Sequence, residues 1–274
     1  MTVSGAPATE RSIAFVGGLH RSGTTLLARC LAAHPDASGF AGTGANEDEG
    51  QHLQPVYPPA ERFGGPGRFG YAPEMHLTEH SPLVGEASRE RLWAAWSPHW
   101  DLDRQILIEK SPPNLLKLRF LQALFPAARF VVVLRHPIIA ALATQKWSGT
   151  RLHDLIRHWL LCNETAMADL PHLRHATVTR YEDLVGAAGE QELARLQRFL
   201  GLEPRALGVE VRPGLNGPYL AQWDQLARHL PSSLYRAAIV RCFEARTARF
   251  GYSLRDPHRL ADGGALLPAG AGGS

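Results

Sequence analysis

The sequence predicts an α/β fold: a P-loop-like parallel sheet with helices on both faces, forming a single domain with a long binding loop. Three observations predict it. Residues 13–16 (IAFV) are a short apolar run that Gly17 and Gly18 end, and Arg21-Ser22-Gly23 leads into residues 24–31 (TTLLARCL), which read as a helix. Arg129–Leu134 (RFVVVL) is the clearest strand in the chain, apolar and β-branched as a central parallel strand should be. Strand and helix patterns alternate along the chain, which argues for a parallel sheet covered on both faces.

Taken in order, residues 1–11 are small and polar and read as a flexible leader. The first helix stops at His34-Pro35, because proline cannot continue a helix. Residues 36–73 are rich in Gly and Pro and form the long loop. An irregular insertion of this length is more often a lid or binding loop than a linker. Within it, residues 46–54 (NEDEGQHLQ) start a short helix with Asn46 as cap and Glu49 as its capping-box partner. Residues 88–100 read as a helix with Leu92, Trp93 and Trp96 on one side. Residues 105–109 are a candidate strand, followed by Lys110-Ser111-Pro112-Pro113 and a helix over 114–125 that Pro126 ends. Arg135-His136-Pro137 turns from the central strand into a helix through about Lys146. Ala176–Arg180 is a further strand, leading through Tyr181-Glu182-Asp183-Leu184 to a helix over 190–200 closed by Gly201. A long helix covers 232–250. The domain spans 12–255, and 256–274 is a tail whose last residues are Gly and Ala, too poor in large apolar side chains to order.

A chain of 274 residues with 45% hydrophobic and 20% charged residues has the means for one substantial core. Its net charge of +3 argues for neither nucleic acid nor a membrane surface as partner. Cys30, Cys162 and Cys242 are far apart and in no metal-like spacing, so they read as free thiols in a reducing compartment, with no metal site. No charged-then-apolar leader and no apolar run of the ~20 residues a membrane helix needs is present. The expected location is the cytoplasm.

The opening strand–glycine–helix unit is an anion cradle, since the first N–H groups of a helix lack intrahelical partners and point out of its positive end. Gly18-x-x-x-x-Gly23-Thr24-Thr25 has the frame of a nucleotide-binding P-loop, but Thr24 stands where that motif requires lysine. The charge lies upstream, at Arg21. Ligands of doubly covered parallel sheets bind beyond the carboxyl ends of the strands. Three signals land on such ends: residues 17–25, Lys110-Ser111 and Arg135-His136.

Residues 18–26 (GLHRSGTTL) resemble the 5′-phosphosulfate loop of sulfotransferases that use 3′-phosphoadenosine 5′-phosphosulfate (PAPS). The likeness is greatest to the branch holding bacterial sulfotransferases and protein-tyrosine sulfotransferases, and it covers about residues 13–250. It implies PAPS as co-substrate, 3′-phosphoadenosine 5′-phosphate (PAP) as product, and His20, Arg21, Ser22, Gly23, Thr24 and Thr25 as the cofactor loop. Sulfuryl transfer, like phosphoryl transfer, is an in-line displacement that needs cations where charge develops and a base for the acceptor hydroxyl. Lys110 matches the family's lysine that meets the bridging oxygen of the leaving group. Leu134-Arg135-His136-Pro137 resembles the start of the 3′-phosphate motif, an arginine with a serine eight residues on. That eighth position is Ala143 here, so the role passes to Thr144 or to Lys146. Tyr181 holds the place of an adenine-side contact. Asn216 and Trp223 match a late family segment in which Gln222 replaces the usual lysine.

Relatives carry the acceptor's base shortly after the first helix, as glutamate or histidine. Glu49 is favoured here, then Glu47, then His52. Phe40, Tyr57, Phe63, Phe69 and Tyr71 in the long loop add aromatic surface for a small organic hydroxyl acceptor, such as a natural product or glycoside. The Ala- and Arg-rich composition points to a bacterial gene. The competing readings are a protein-tyrosine sulfotransferase, a P-loop small-molecule kinase, disfavoured by Thr24, and a nucleotide-binding protein without catalysis. Oligomeric state is left open.

Overall fold

The computed structural model describes residues 11–206 and 214–260. Of the expected leader, residues 1–10, and of the expected tail, residues 261–274, lie outside the described residues, while within 256–260 Leu260 bridges Tyr252. Its centre is a five-stranded sheet in the order β2-β3-β1-β4-β5, all neighbours parallel. The strands are β1 (Ser12–Gly18), β2 (Ala37–Gly39), β3 (Ile106–Lys110), β4 (Arg129–Leu134) and β5 (Ala176–Arg180). Gly17 and Gly18 do not break β1 as expected; they pair with Val132 and Val133 and extend it. A Cβ on Gly17 would press on the backbone of Asn114 and Leu115, so the strand needs glycine there for close packing rather than for a turn.

Alternation along the strands divides two cores. Ile13 and Phe15 of β1 and Phe130 and Val132 of β4 face one, and Ala14, Val16, Val131 and Val133 face the other. The smaller core is closed by α1 (Thr24–Ala32) and α7 (Gly189–Phe199), through Leu27, Leu31 and Leu196. The larger core is closed by α2 (Glu86–Trp96), α3 (Leu118–Leu124), α4 (Pro137–Ser148), α5 (Leu152–Asp169) and α9 (Ser232–Ala248). A short α6 (Tyr181–Val185) follows β5, and α8 (Gly217–Gln225) precedes α9. Helices therefore cover both faces, and the α/β architecture is as the sequence predicts.

Several elements differ from the sequence reading. The helix expected over 114–125 is a 3₁₀ turn, Pro112–Leu116, followed by the shorter α3, because the paired prolines hold the chain out of α geometry. The long loop contributes the three-residue edge strand β2 and then runs as successive 3₁₀ turns. The capping box expected from Asn46 and Glu49 does not form. Ala45 precedes a 3₁₀ turn with no side-chain cap, and Glu47 and Asp48 take left-handed φ values of 53° and 50°. The 18-residue α5 falls in a stretch to which the sequence reading gives no element. Among the described residues no helix is long and apolar enough to cross a membrane.

Candidate active site

The strand order places β1 between β3 and β4, so the chain leaves the sheet in opposite directions at the carboxyl end of β1, and a crevice opens there. A cavity of about 870 Å³ fills it, and its lining includes Arg21, Arg29 and Arg135 together with Glu47, Glu49 and Glu61. Gly23, Thr24 and Thr25 line it at the N-terminus of α1. Gly23 has φ +98°, and a Cβ there would strike the ring of Tyr181. This glycine lets the turn into α1 close over an aromatic side chain that also lines the cleft. Ser22 is inside the loop: its N–H donates to Leu19 O at 2.9 Å, and its buried hydroxyl has no partner. The His20 ring turns edge-on to Phe69, and burial, aided by Lys110, lowers its pKa to about 4, so it is neutral at physiological pH. Arg21 stacks its guanidinium 3.3 Å over Trp147, a cleft-lining aromatic the sequence reading did not single out.

Arg135 leaves the end of β4 buried. It stacks 4.0 Å over Tyr181, donates from Nη1 to Arg21 O at 2.8 Å, and donates from Nη2 to Asn216 Oδ1 at 2.6 Å. Its Nε is buried without a hydrogen-bond partner among the described residues. Burial lowers the Arg135 pKa from the usual arginine value. Thr144 is not brought to this place. It is buried on α4, where it lines a small cavity with His20, Leu155, His158 and Trp159 and does not line the main cleft. Lys146, one turn short of the helix end, lies 4.7 Å over the Tyr219 ring. Trp223 is buried and donates to Leu254 O, and Gln222 is exposed.

Buried Lys110 Nζ donates to Glu47 O at 2.8 Å and pairs with Glu49 Oε1 at 3.2 Å. Glu49 Oε2 accepts from Gln51 Nε2 at 2.5 Å and lies 3.8 Å from His52 Nε2. Burial pushes the Glu49 carboxyl above the ordinary range, against the pull of Lys110 and Gln51. Glu47 presents its backbone carbonyl to Lys110, while its side chain lines the cleft in an exposed turn. His52 reaches Glu61 at 3.9 Å, a second cleft carboxylate absent from the sequence reading. Glu47, through its carbonyl, and Glu49, through its carboxylate, thus meet Lys110, and His52 lies beside Glu49.

A neighbouring cavity of about 650 Å³ reaches Lys110 and Glu47 from the side of α1 and β2, with Phe40 in its wall. The other loop aromatics are elsewhere. Tyr57 and Phe69 are core residues, and Phe63 and Tyr71 border a separate surface depression. Among the described residues no group of three or more His, Cys, Asp or Glu is placed to hold a metal ion.

Residues 14–205 match the family model described as "Sulfotransferase family". The chain is 29% identical over 230 residues to the nodulation protein NoeE of Sinorhizobium fredii, covering 72% of this chain and 52% of NoeE, about half the length of that relative. Among solved structures it is similar to a sulfotransferase from Alicyclobacillus acidocaldarius, at 20% identity and TM-score 0.45, covering 86% of this chain and 95% of that one. It is also similar to sulfotransferase STF1 from Mycobacterium tuberculosis, at 18% identity and TM-score 0.46, covering 78% and 72%.

Proposed function

The chain belongs to the sulfotransferase family, and from that premise we propose that it moves the sulfuryl group of PAPS to a hydroxyl of a small organic acceptor. The observation that carries this reading is the meeting of Lys110 and Glu49, 3.2 Å apart, with Glu49 lining the same cavity as a helix N-terminus whose loop has Thr24 in place of a P-loop lysine. The donor set fits a doubly anionic nucleotide. Arg21, Arg135, Thr25 and the α1 N-terminus line one cavity, and Arg135 keeps a buried Nε with no hydrogen-bond partner among the described residues.

PAPS supplies the sulfuryl group in activated form when bound. The free N–H groups at the start of α1, with Arg21 turned in from Trp147, hold its 5′ anion. Tyr181 and Arg135 border the nucleoside side. Lys110 turns from Glu49 and the Glu47 carbonyl toward the oxygen that gains charge as the bridging S–O bond breaks. That turn releases Glu49, which takes the proton of the acceptor hydroxyl as its oxygen bonds to sulfur. A carboxyl raised by burial is a better base near neutral pH than an ordinary one. The cavity walled by Phe40 beside Lys110 and Glu47 gives an organic alcohol or phenol a place next to the lysine that Glu49 pairs with.

The test is transfer from sulfur-labelled PAPS to a panel of phenols, sugars, nucleosides and tyrosine peptides. Labelling of phenols or sugars is expected. Labelling of tyrosine peptides alone would replace the acceptor class, and binding of magnesium–ATP with no binding of PAP would overturn the reading.

A further inference from the structure

Glu109 precedes Lys110 on β3 and points to the opposite face of the sheet, paired in register with Phe15 of the larger core. It is a carboxylate with no exposed surface in a strand otherwise built from Ile and Leu up to Lys110. Such a group costs folding free energy unless its oxygens are satisfied. They are satisfied by one purposeful set of donors. Glu109 Oε1 accepts from Gly50 N at 3.0 Å and from Ser111 Oγ at 2.6 Å, and Oε2 accepts from Asn114 Nδ2. The Ser111 oxygen in turn accepts from Gln51 N at 2.9 Å. Trp96 Nε1 fixes the other side of Gly50 by donating to its carbonyl at 3.0 Å. Gly50 and Gln51 immediately follow Glu49, so two successive N–H groups of that loop are pinned to Glu109 and Ser111, 59 and 60 residues away. The approach is close enough that a Cβ on Gly50 would collide with the Glu109 carboxylate.

We propose that Glu109 is a positioning residue for the acceptor base: its carboxylate, extended by the Ser111 hydroxyl, fixes the backbone at Gly50–Gln51 and so sets Glu49 against Lys110. β3 then references both reacting groups to one rigid strand end, Lys110 directly on one face and Glu49 through Glu109 on the other. A base held through this loop loses its alignment when the anchor is removed, while the nucleotide end of the cleft, built by α1, β4 and α6, is untouched. The inference rests on the reading of Glu49 as base.

The experiment is a kinetic cycle of Glu109→Ala, Glu49→Ala and the double variant, with Glu109→Gln as rescue and PAP affinity measured for each. Glu109→Ala is expected to lower kcat about 10²-fold, the scale of a misplaced catalytic group, with PAP affinity within about twofold of wild type. The double variant is expected to be no slower than Glu49→Ala, since a base already absent cannot be misplaced again. Glu109→Gln keeps an acceptor for the Gly50 N–H and is expected to return kcat to within about fivefold. Should Glu109→Ala fail to fold, Ser111→Ala removes the acceptor of the Gln51 N–H and one donor to Glu109, and leaves the Gly50 N–H bond to Glu109 in place. It is expected to cost about tenfold in kcat in the wild type and nothing further in Glu49→Ala. Losses that multiply in the double variant, or a Glu109→Gln as slow as Glu109→Ala, overturn the positioning role while leaving Glu49 as base. A Glu49→Ala with wild-type kcat overturns the base assignment and the inference together.

Discussion

Lys110 Nζ holds two oxygens, the Glu47 carbonyl and the Glu49 carboxylate, and its ionic partner is the group proposed to act as base. A contact made to charge that grows only in the transition state lowers the barrier without adding equal ground-state affinity. Lys110→Ala is therefore expected to lower kcat by roughly 10²–10³, about 3–4 kcal/mol, while PAP binding measured by calorimetry changes little. Glu109 offers a separate test at this scale. Burial pushes its pKa up to about 7, against hydrogen bonds from Ser111 and Asn114 that favour the charged form. The folded value is above the unfolded one, so its contribution to stability is whole below the unfolded value of 4.5 and is lost as pH rises toward about 7. Glu109→Gln has no such titration. Relative to the variant, the wild type is expected to lose roughly 1.4 kcal/mol per pH unit across that window, about 2–3 kcal/mol in all, read from denaturant unfolding at pH 5 and pH 7.5.

The element that organises the site is the β1–α1 unit. Its turn works because Gly23 adopts φ +98° with Tyr181 packed where a Cβ would project. Gly23→Ala adds left-handed strain to that collision, so a loss of roughly 2–4 kcal/mol of stability is expected. PAP affinity should fall with it, because the first N–H groups of α1 are displaced; thermal unfolding with and without PAP reads both effects. Strands were the most legible elements. Arg129–Leu134 occurs over the residues the sequence marks, because a strand buried on both faces must be apolar along its own length, and the edge strand Ala176–Arg180 shows itself by β-branched Thr and Val. The turns over 46–52 were illegible for the converse reason. Their conformation is fixed by Glu109, Ser111 and Trp96, not by the Asn46 capping signal. Helix α5 escaped because its buried face mixes His158, Asn163 and Asp169 with Leu, Ile and Trp, which blurs the apolar period.

At the scale of the molecule, the crevice at the carboxyl end of β1 joins parts contributed by α1, the long loop, β3, β4, α6 and the residues before α8. A ligand that bridges them stabilises the whole fold by mass action. PAP at about 100 times its dissociation constant is expected to add ~2.7 kcal/mol, raising Tm by roughly 5–10 °C in a domain of this size. Magnesium–ATP at the same concentration is expected to give a much smaller shift, since Thr24 leaves no P-loop lysine for its outer phosphates. Equal shifts from the two nucleotides would remove the discrimination on which the PAPS reading depends.

The sequence by itself determined the α/β class, the glycine turn into α1 within residues 18–25, and the placing of Lys110 and Arg135 at strand ends. Each of these follows from residues next to one another in the chain, where apolar runs, glycines and helix starts act locally. Only the tertiary structure decided which acidic residue meets Lys110, and it put Thr144 in a small cavity with His20 and tied Arg135 to Asn216. It also brought out Glu109, whose signal in the sequence was a charge at an inward position of an apolar strand. Glu49 and Lys110 are 61 residues apart, and their meeting depends on a loop held by hydrogen bonds of equal span. Contacts of that range arise from the packing of the whole sheet and its covering loop, and no local pattern encodes them.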